Sequence, residues 1–158
     1  MEPTLGIFDN ATQTNLASTV TMVEDVLIEL GHFVNECRVP AAGALQAWRV
    51  VKGSAVIRIS LMEGNPYARL RIIAPVMTTD ARVDVARLYR HLLNLNYTTL
   101  SGAAFATRQN EVVIIAERSA LDLDRSEVKE LIEHVQNTAD HHDDLLVEEY
   151  GGRLGGIE

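Results

Sequence analysis

Hydrophobic residues recur every three or four positions in three segments of the chain, a spacing that predicts helices with one buried face. The first segment covers residues 14–30, the second follows Asp80 and the third follows Asp124. Gly31 suits the left-handed residue that ends the first helix. Asp80 and Asp124 are expected N-caps of the other two, and Glu127 completes a capping box with Asp124.

Between these helices the pattern changes to alternation, which predicts strands. We expect strands over residues 33–38, 46–51, 55–62, 67–76, 103–107 and 111–117. Lys52-Gly53 and Gln109-Asn110 are predicted hairpin turns, and strands joined by such short turns pair antiparallel. The sequence therefore predicts an α+β fold, an antiparallel sheet with three helices. The order is one helix, three or four strands, a helix, two strands and a helix.

The length of 158 residues favours a single domain. We place this domain at residues 14–152. Residues 1–13 show no periodicity and are expected to form a flexible arm. Residues 153–158, which are rich in glycine, are expected to form a flexible tail.

The net charge of −8 is concentrated at one end of the chain. Residues 122–158 hold eleven acidic and three basic side chains, so the rest is formally neutral. This distribution argues against nucleic acid and membrane surfaces as partners. No apolar run approaches the ~20 residues of a membrane span, and no secretory signal opens the sequence. With Cys37 as its single cysteine, the protein is expected in the reducing cytoplasm.

Arginines stand out on one face of the predicted sheet. Arg58, Arg69 and Arg71 alternate with apolar residues that should face the helices. One interpretation is that they keep the outer face in water or pair with the acidic last helix. The other is that they form a docking surface for an acidic or extended segment of a partner.

The central helix has more apolar residues than one core contact requires. Its main stripe is Val85, Leu88, Leu92 and Leu95, and Tyr89 and Leu93 widen it. The wider stripe predicts either a dimer contact or a fuller core.

Catalytic, metal and cofactor motifs are absent from the sequence. His141 and Asp144 could share a helix face, but adjacent members of the Asp140–Asp144 run diverge by ~100° and cannot converge on one ion. A solvated polar face is the better interpretation, with His142 packed on the apolar stripe. Cys37 is interpreted as a structural thiol, and no phosphate-binding or dinucleotide-binding motif is present. We therefore expect no enzyme activity, no metal and no cofactor.

Several short segments follow one another in a distinctive order and spacing. They are Leu30-Gly31-His32-Phe33, Trp48 with Gly53, Ala74-Pro75-Val76-Met77, LYRHLLNLN at 88–96, GAAFA at 102–106, Glu117-Arg118, LDLD at 121–124 and ADHHDDL at 139–145. With this order, residues 14–152 resemble the bacterial YbjN family. That family shares its fold with the small dimeric chaperones of type III secretion.

The resemblance implies a non-enzymatic protein of bacteria, a homodimer that binds extended peptide segments of other proteins. It leaves two roles open. One is a chaperone-like module for a client protein. The other is a dimeric regulator in sensory transduction or stress response, without chaperone activity.

Overall fold

The computed structural model describes residues 7–156. In chain order its elements are α1 (Ile7–Glu29), α2 (Val34–Cys37), β1 (Arg38–Val39), β2 (Gln46–Lys52), β3 (Ala55–Met62), β4 (Arg69–Thr78), α3 (Val85–Thr98), β5 (Ala104–Arg108), β6 (Glu111–Ser119), α4 (Arg125–Tyr150) and β7 (Arg153–Leu154). The α+β class is confirmed. The described range contains four helices where three were predicted.

The strands form one antiparallel sheet in the order β1-β2-β3-β4-β6-β5. The short strand β7 lies off this path and pairs with the end of β4. It continues the position of β3, which pairs with β4 only as far as the Arg58–Ile73 step. The C-terminal end of β4 is therefore flanked by β6 on one side and by β7 on the other.

The helices lie on one face of this sheet, called here the inner face. Ile57, Ile59 and Ile72 point to that face and are almost completely buried, in one core with residues of α1, α3 and α4. Alternate residues of the same strands point to the opposite side, called here the outer face. The alternation predicted for β3 and β4 is confirmed.

The first helix is longer than its apolar pattern predicts. It begins at Ile7, so residues 7–13 of the predicted arm are helical, and residues 1–6 lie outside the described range. Extending an existing helix adds one hydrogen bond per residue fixed, so a segment without periodicity can still be helical. Gly31 ends the helix with a φ of 87°, as predicted.

The strand predicted over residues 33–38 is wrong in most of its length. Residues Val34–Cys37 form a single helical turn, closed by bonds from the Glu36 and Cys37 N–H groups to the Phe33 carbonyl. Only Arg38 and Val39 pair as a strand. A short apolar run has the same composition in either state, so periodicity could not separate them.

The N-cap of the central helix is Asp84 instead of Asp80. The Asp84 carboxylate accepts a hydrogen bond from the Arg87 N–H. Asp80 accepts from the Arg82 side chain and backbone, which lowers the pKa of Asp80 to about 2. Both aspartates are good local acceptors, and the Asp80 carboxylate is used by the turn before the helix. The capping box of Asp124 and Glu127 is confirmed.

The segment predicted as a flexible tail is part of the sheet in its described portion. Arg153 and Leu154 pair with Thr78 and Met77, and the Gly155 N–H donates to the Val76 carbonyl at 3.0 Å. A Cβ atom on Gly155 would lie 2.8 Å from the Pro75 carbonyl carbon. Glycine is required here because two backbones approach closely, which a composition-based expectation of flexibility overlooked.

Candidate functional site

The three arginines proposed as a docking surface all lie on the outer face. Arg71 is paired with Ser60 and Arg69 with Met62 across β3 and β4, while Arg58 is paired with Ile73. Directly paired residues point to the same side of a sheet. The predicted placement on one face agrees with this register, but the three side chains have different surroundings.

Arg69 and Arg71 share one carboxylate. Their Nε atoms lie 2.5 Å from Oε1 and Oε2 of Glu117, respectively. Partial burial by itself raises the pKa of Glu117. The hydrogen bond and charge of Arg71, with those of Arg69, outweigh burial and hold the pKa below its usual value. The acid partner thus comes from β6 and not from the last helix, because that helix lies on the inner face.

Arg58 has a different neighbour. In the β2–β3 hairpin it stands directly opposite Arg49, another exposed arginine. Among the described residues no carboxylate lies within 4.0 Å of either guanidinium. Arg58 Nη2 donates a hydrogen bond to the Pro40 carbonyl at 3.2 Å. Two like charges opposite each other in a ladder are unfavourable, so this end of the outer face carries uncompensated positive charge.

The central helix exposes a second apolar stripe. Residues 85, 89, 93 and 97 follow one another at intervals of four and therefore share a side of α3. Leu93 is 67% exposed and Tyr97 is 91% exposed, while Val85 is 41% exposed. Tyr89 is partly buried and packs against the core. The stripe is thus wider than the core of one chain uses, so a fuller core does not account for Leu93 and Tyr97. The dimer contact stays a prediction.

Polar contacts fix the other side of α3 against α4. His91 Nδ1 and the Tyr150 hydroxyl are 2.7 Å apart, and Arg87 Nη2 donates to Glu149 at 2.7 Å. The Arg87 guanidinium also lies 4.8 Å from the centre of the Tyr150 ring, a cation–π distance. Sequence reasoning missed this network, because its members lie about 60 residues apart. It holds the helix in place while the apolar stripe faces outward.

The histidine and aspartate run on α4 has one buried histidine, while other members of the run are exposed. His142 is buried, its ring packs edge-on to Phe105 at 5.2 Å, and its Nδ1 lies 2.9 Å from the Thr138 carbonyl oxygen. His141 and Asp144 are exposed. Within residues 7–156 no group of three or more His, Cys, Asp or Glu residues is arranged to hold a metal ion.

Cys37 is buried, and burial raises the pKa of its thiol. A raised pKa disfavours the reactive thiolate, which fits the interpretation of Cys37 as a structural residue. In the same part of the chain no helix combines the length and hydropathy needed to cross a membrane.

Solved structures with this arrangement define the class of fold. A chain of the HopA1–SchA chaperone–effector complex aligns with a TM-score of 0.58 at 12% identity, covering 84% of this protein and 97% of that chain. A chain of the heterodimeric ExoU–SpcU complex from the type III secretion system of Pseudomonas aeruginosa gives 0.54 at 14% identity, covering 77% and 94%. A chain of the Yersinia pestis type III secretion chaperone SycH, in complex with a stable fragment of YscM2, also gives 0.54 at 14%, covering 78% and 98%. The fold of this protein is therefore the fold of chains in type III secretion chaperone complexes.

The family follows from the sequence itself. Residues 17–155 match the model of TY-Chap1, described as T3SS (YopN, CesT) and YbjN peptide-binding chaperone 1. The chain therefore belongs to this family of peptide-binding chaperones, and the resemblance to YbjN proteins is confirmed. Comparison with curated proteins gives no match.

Proposed function

We propose that this protein is a cytoplasmic, non-enzymatic chaperone of bacteria that holds an extended segment of a client protein on the outer face of its sheet. The observation that carries the proposal is the family match over residues 17–155, together with an outer face that none of the described helices covers. An extended segment suits such a surface, because its alternating side chains can occupy positions between the strands below.

The outer face supplies both kinds of contact that such a segment needs. Ile73 and Pro75 of β4 are partly exposed and provide apolar area, while Arg58 provides charge beside them. Arg69 and Arg71 already hold Glu117, so they contribute less to a new partner than Arg58 does. We therefore place the centre of the binding surface at the Arg58 end of the outer face.

A homodimer through the exposed side of α3 completes the proposal. Leu93 and Tyr97 on that side are too exposed to contribute to the core of their own chain. A second copy would cover the same stripe with the same residues, as a two-fold interface requires. Replacing Tyr97 and Leu93 together with serine should shift the protein to monomer in analytical ultracentrifugation, without a change in its circular dichroism.

The direct test of client binding is selection from a library of unstructured peptides of about fifteen residues. A selected, fluorescently labelled peptide is then titrated with the unaltered protein and with two matched variants. Ile73→Ser alters the outer face, and Leu145→Ser alters an exposed leucine of α4 on the helical side. We expect Ile73→Ser to weaken binding at least about fivefold and Leu145→Ser to leave it unchanged.

Failure to select any peptide above a control protein of equal charge would contradict the proposal. So would equal effects of the two variants, because binding would then not use the outer face. A protein that binds only a folded partner, and no unfolded segment, would instead match the regulatory role considered from the sequence.

A further inference from the structure

A cleft of about 790 Å³ lies on the outer face beside the C-terminal strand. Its floor is apolar and consists of Val56, Ile73 and Pro75, all partly buried. The volume falls within the range of roughly 300–1,000 Å³ that is typical of binding pockets. The cleft is therefore large enough to hold several residues of an extended chain.

Both ends of the cleft are lined by arginines. Arg49 and Arg58 stand at one end, and Arg108 and Arg153 stand at the other. Among the described residues that line the cleft, Glu111 is the one carboxylate, and it pairs with Arg108 at 2.5 Å. The described lining thus carries a net charge of +3, although the whole chain carries −8. A positively charged cleft on a negatively charged protein attracts a carboxylate ligand to this one place.

The first arginine pair is held in an unfavourable arrangement. Arg49 and Arg58 face each other across the β2–β3 ladder, where like charges directly opposite each other destabilise the sheet. The bond from Arg58 to the Pro40 carbonyl fixes one guanidinium without neutralising it. A carboxylate bound between the two would remove the repulsion, and guanidinium groups match carboxylate geometry well.

The second end of the cleft is built by the C-terminal segment. Arg153 pairs with Thr78, which places this arginine beside the C-terminal end of β4. The Gly155 contact described above holds the segment firmly, and a Cβ on Gly156 would touch Val56 at 3.4 Å. The wall is therefore a fixed part of the fold, which is the condition for a binding site formed in advance.

The spacing of the two ends sets the length of the ligand. Arg58 is paired with Ile73 and Arg153 with Thr78, which is five positions further along β4. A bulge between Pro75 and Met77 keeps both positions on the outer face and shortens their separation below the roughly 17 Å of a regular strand at ~3.4 Å per residue. Both side chains are long enough to reach inward. In an extended peptide, residues four apart lie on one side and are separated by about 14 Å. The residue midway between them points to the same side, toward the apolar floor.

We propose that this cleft binds an extended peptide with carboxylate side chains four residues apart and an apolar side chain midway between them. The inference rests on the proposed function and specifies the chemistry of the client. A long polyanion such as nucleic acid fits less well, since the eight net negative charges of residues 122–158 would repel whatever extends beyond the cleft.

The test uses three labelled nine-residue peptides of otherwise equal composition. The first has glutamates at positions 3 and 7 with valine at position 5. The second has glutamines in place of both glutamates. The third has the two glutamates adjacent. Binding is measured by fluorescence anisotropy at low salt, and we expect the first peptide to bind at least about tenfold more tightly than either of the others.

Two variants locate the site. Arg49→Gln with Arg58→Gln should reduce the first peptide to the affinity of the glutamine peptide. Arg90→Gln should have no effect, because Arg90 is an exposed arginine of α3 outside the cleft. Circular dichroism checks that each variant is folded. The site is supported if the double variant loses about tenfold in affinity for the first peptide and Arg90→Gln loses none.

Other results overturn the inference. Equal affinity for the glutamate and glutamine peptides would show that carboxylates are not recognised, and equal affinity for the spaced and adjacent glutamates would show attraction by charge alone. An equal loss in Arg90→Gln would show that the cleft is not the site. If none of the three peptides binds, the acidic ligand is wrong, while the chaperone proposal is still decided by the library selection and the Ile73→Ser variant.

Discussion

The two ends of the outer face use arginine in opposite ways. At one end, Arg69 and Arg71 of β4 surround the single carboxylate of Glu117 on β6. At the other end, Arg58 of β3 faces Arg49 of β2 with no carboxylate nearby among the described residues. The first arrangement contributes to the stability of the fold, and the second reduces it. A fold can retain a small destabilising feature where a ligand compensates it. The difference therefore supports the proposal that Arg49 and Arg58 bind a ligand, while Arg69 and Arg71 have a structural role.

The largest effect on this comparison should come from Glu117→Gln. Glu117 is only 21% exposed, and its removal leaves Arg69 and Arg71 beside each other without a carboxylate. We expect the free energy of unfolding to fall by about 1–2 kcal/mol, the size of a hydrogen bond to a charged group reduced by partial exposure. Urea denaturation measures it. Glu63→Gln is the control and should change nothing, because Glu63 is exposed and forms no ion pair with the residues that the structure describes. A loss no larger than that of the control would contradict the assignment.

The stabilisation by Glu117 should depend on pH in a characteristic way. The folded state holds the pKa of Glu117 below its reference value of 4.5. A carboxyl group with a lowered pKa stabilises the fold fully above the unfolded pKa, and the stabilisation is lost as pH falls through the folded pKa. The difference between the unaltered protein and Glu117→Gln should therefore be constant from pH 7 to about pH 5 and shrink below pH 4.5. A difference that persists unchanged to pH 3 would mean that packing, not charge, is the cause.

The sequence predicted which face of its strand or helix each side chain occupies. It predicted less well which residues of other strands lie beside that side chain. The alternation around Arg58 and the capping box at Asp124 are local patterns, and both are present in the structure. The pairing of Arg71 with Glu117 joins residues 46 positions apart and depends on which strands are adjacent. Strand order in a sheet follows from the packing of the whole core, so a local pattern contains no information about it.

A one-residue shift of the hairpin turn concealed the other arginine pair, because it changes the partner of Arg49 by two residues. A hairpin turn at Lys52-Gly53 would place Arg49 opposite Val56. The ladder instead pairs Lys52 with Ala55, so Gly53 and Ser54 form the turn and Arg49 stands opposite Arg58. Gly53 has a φ of 61° at the first position of the turn, where glycine is favoured in one common hairpin type. Turn type sets register, and register decides which side chains meet.

The smallest expected effect gives the sharpest test of the comparison, because the change in the free energy of unfolding should have opposite signs for arginines at the two ends. Arg58→Gln should raise the free energy of unfolding by a few tenths of a kcal/mol at low salt, because it removes a repulsion from Arg49. Arg71→Gln should lower it, because Arg71 holds Glu117. In 1 M salt, where screening acts within about 3 Å, the gain from Arg58→Gln should vanish. Arg90→Gln serves as the control for loss of an exposed arginine. If Arg58→Gln destabilises the protein at low salt as Arg71→Gln does, then the hydrogen bond from Arg58 to the Pro40 carbonyl outweighs the repulsion from Arg49, and the two ends of the outer face do not differ in kind.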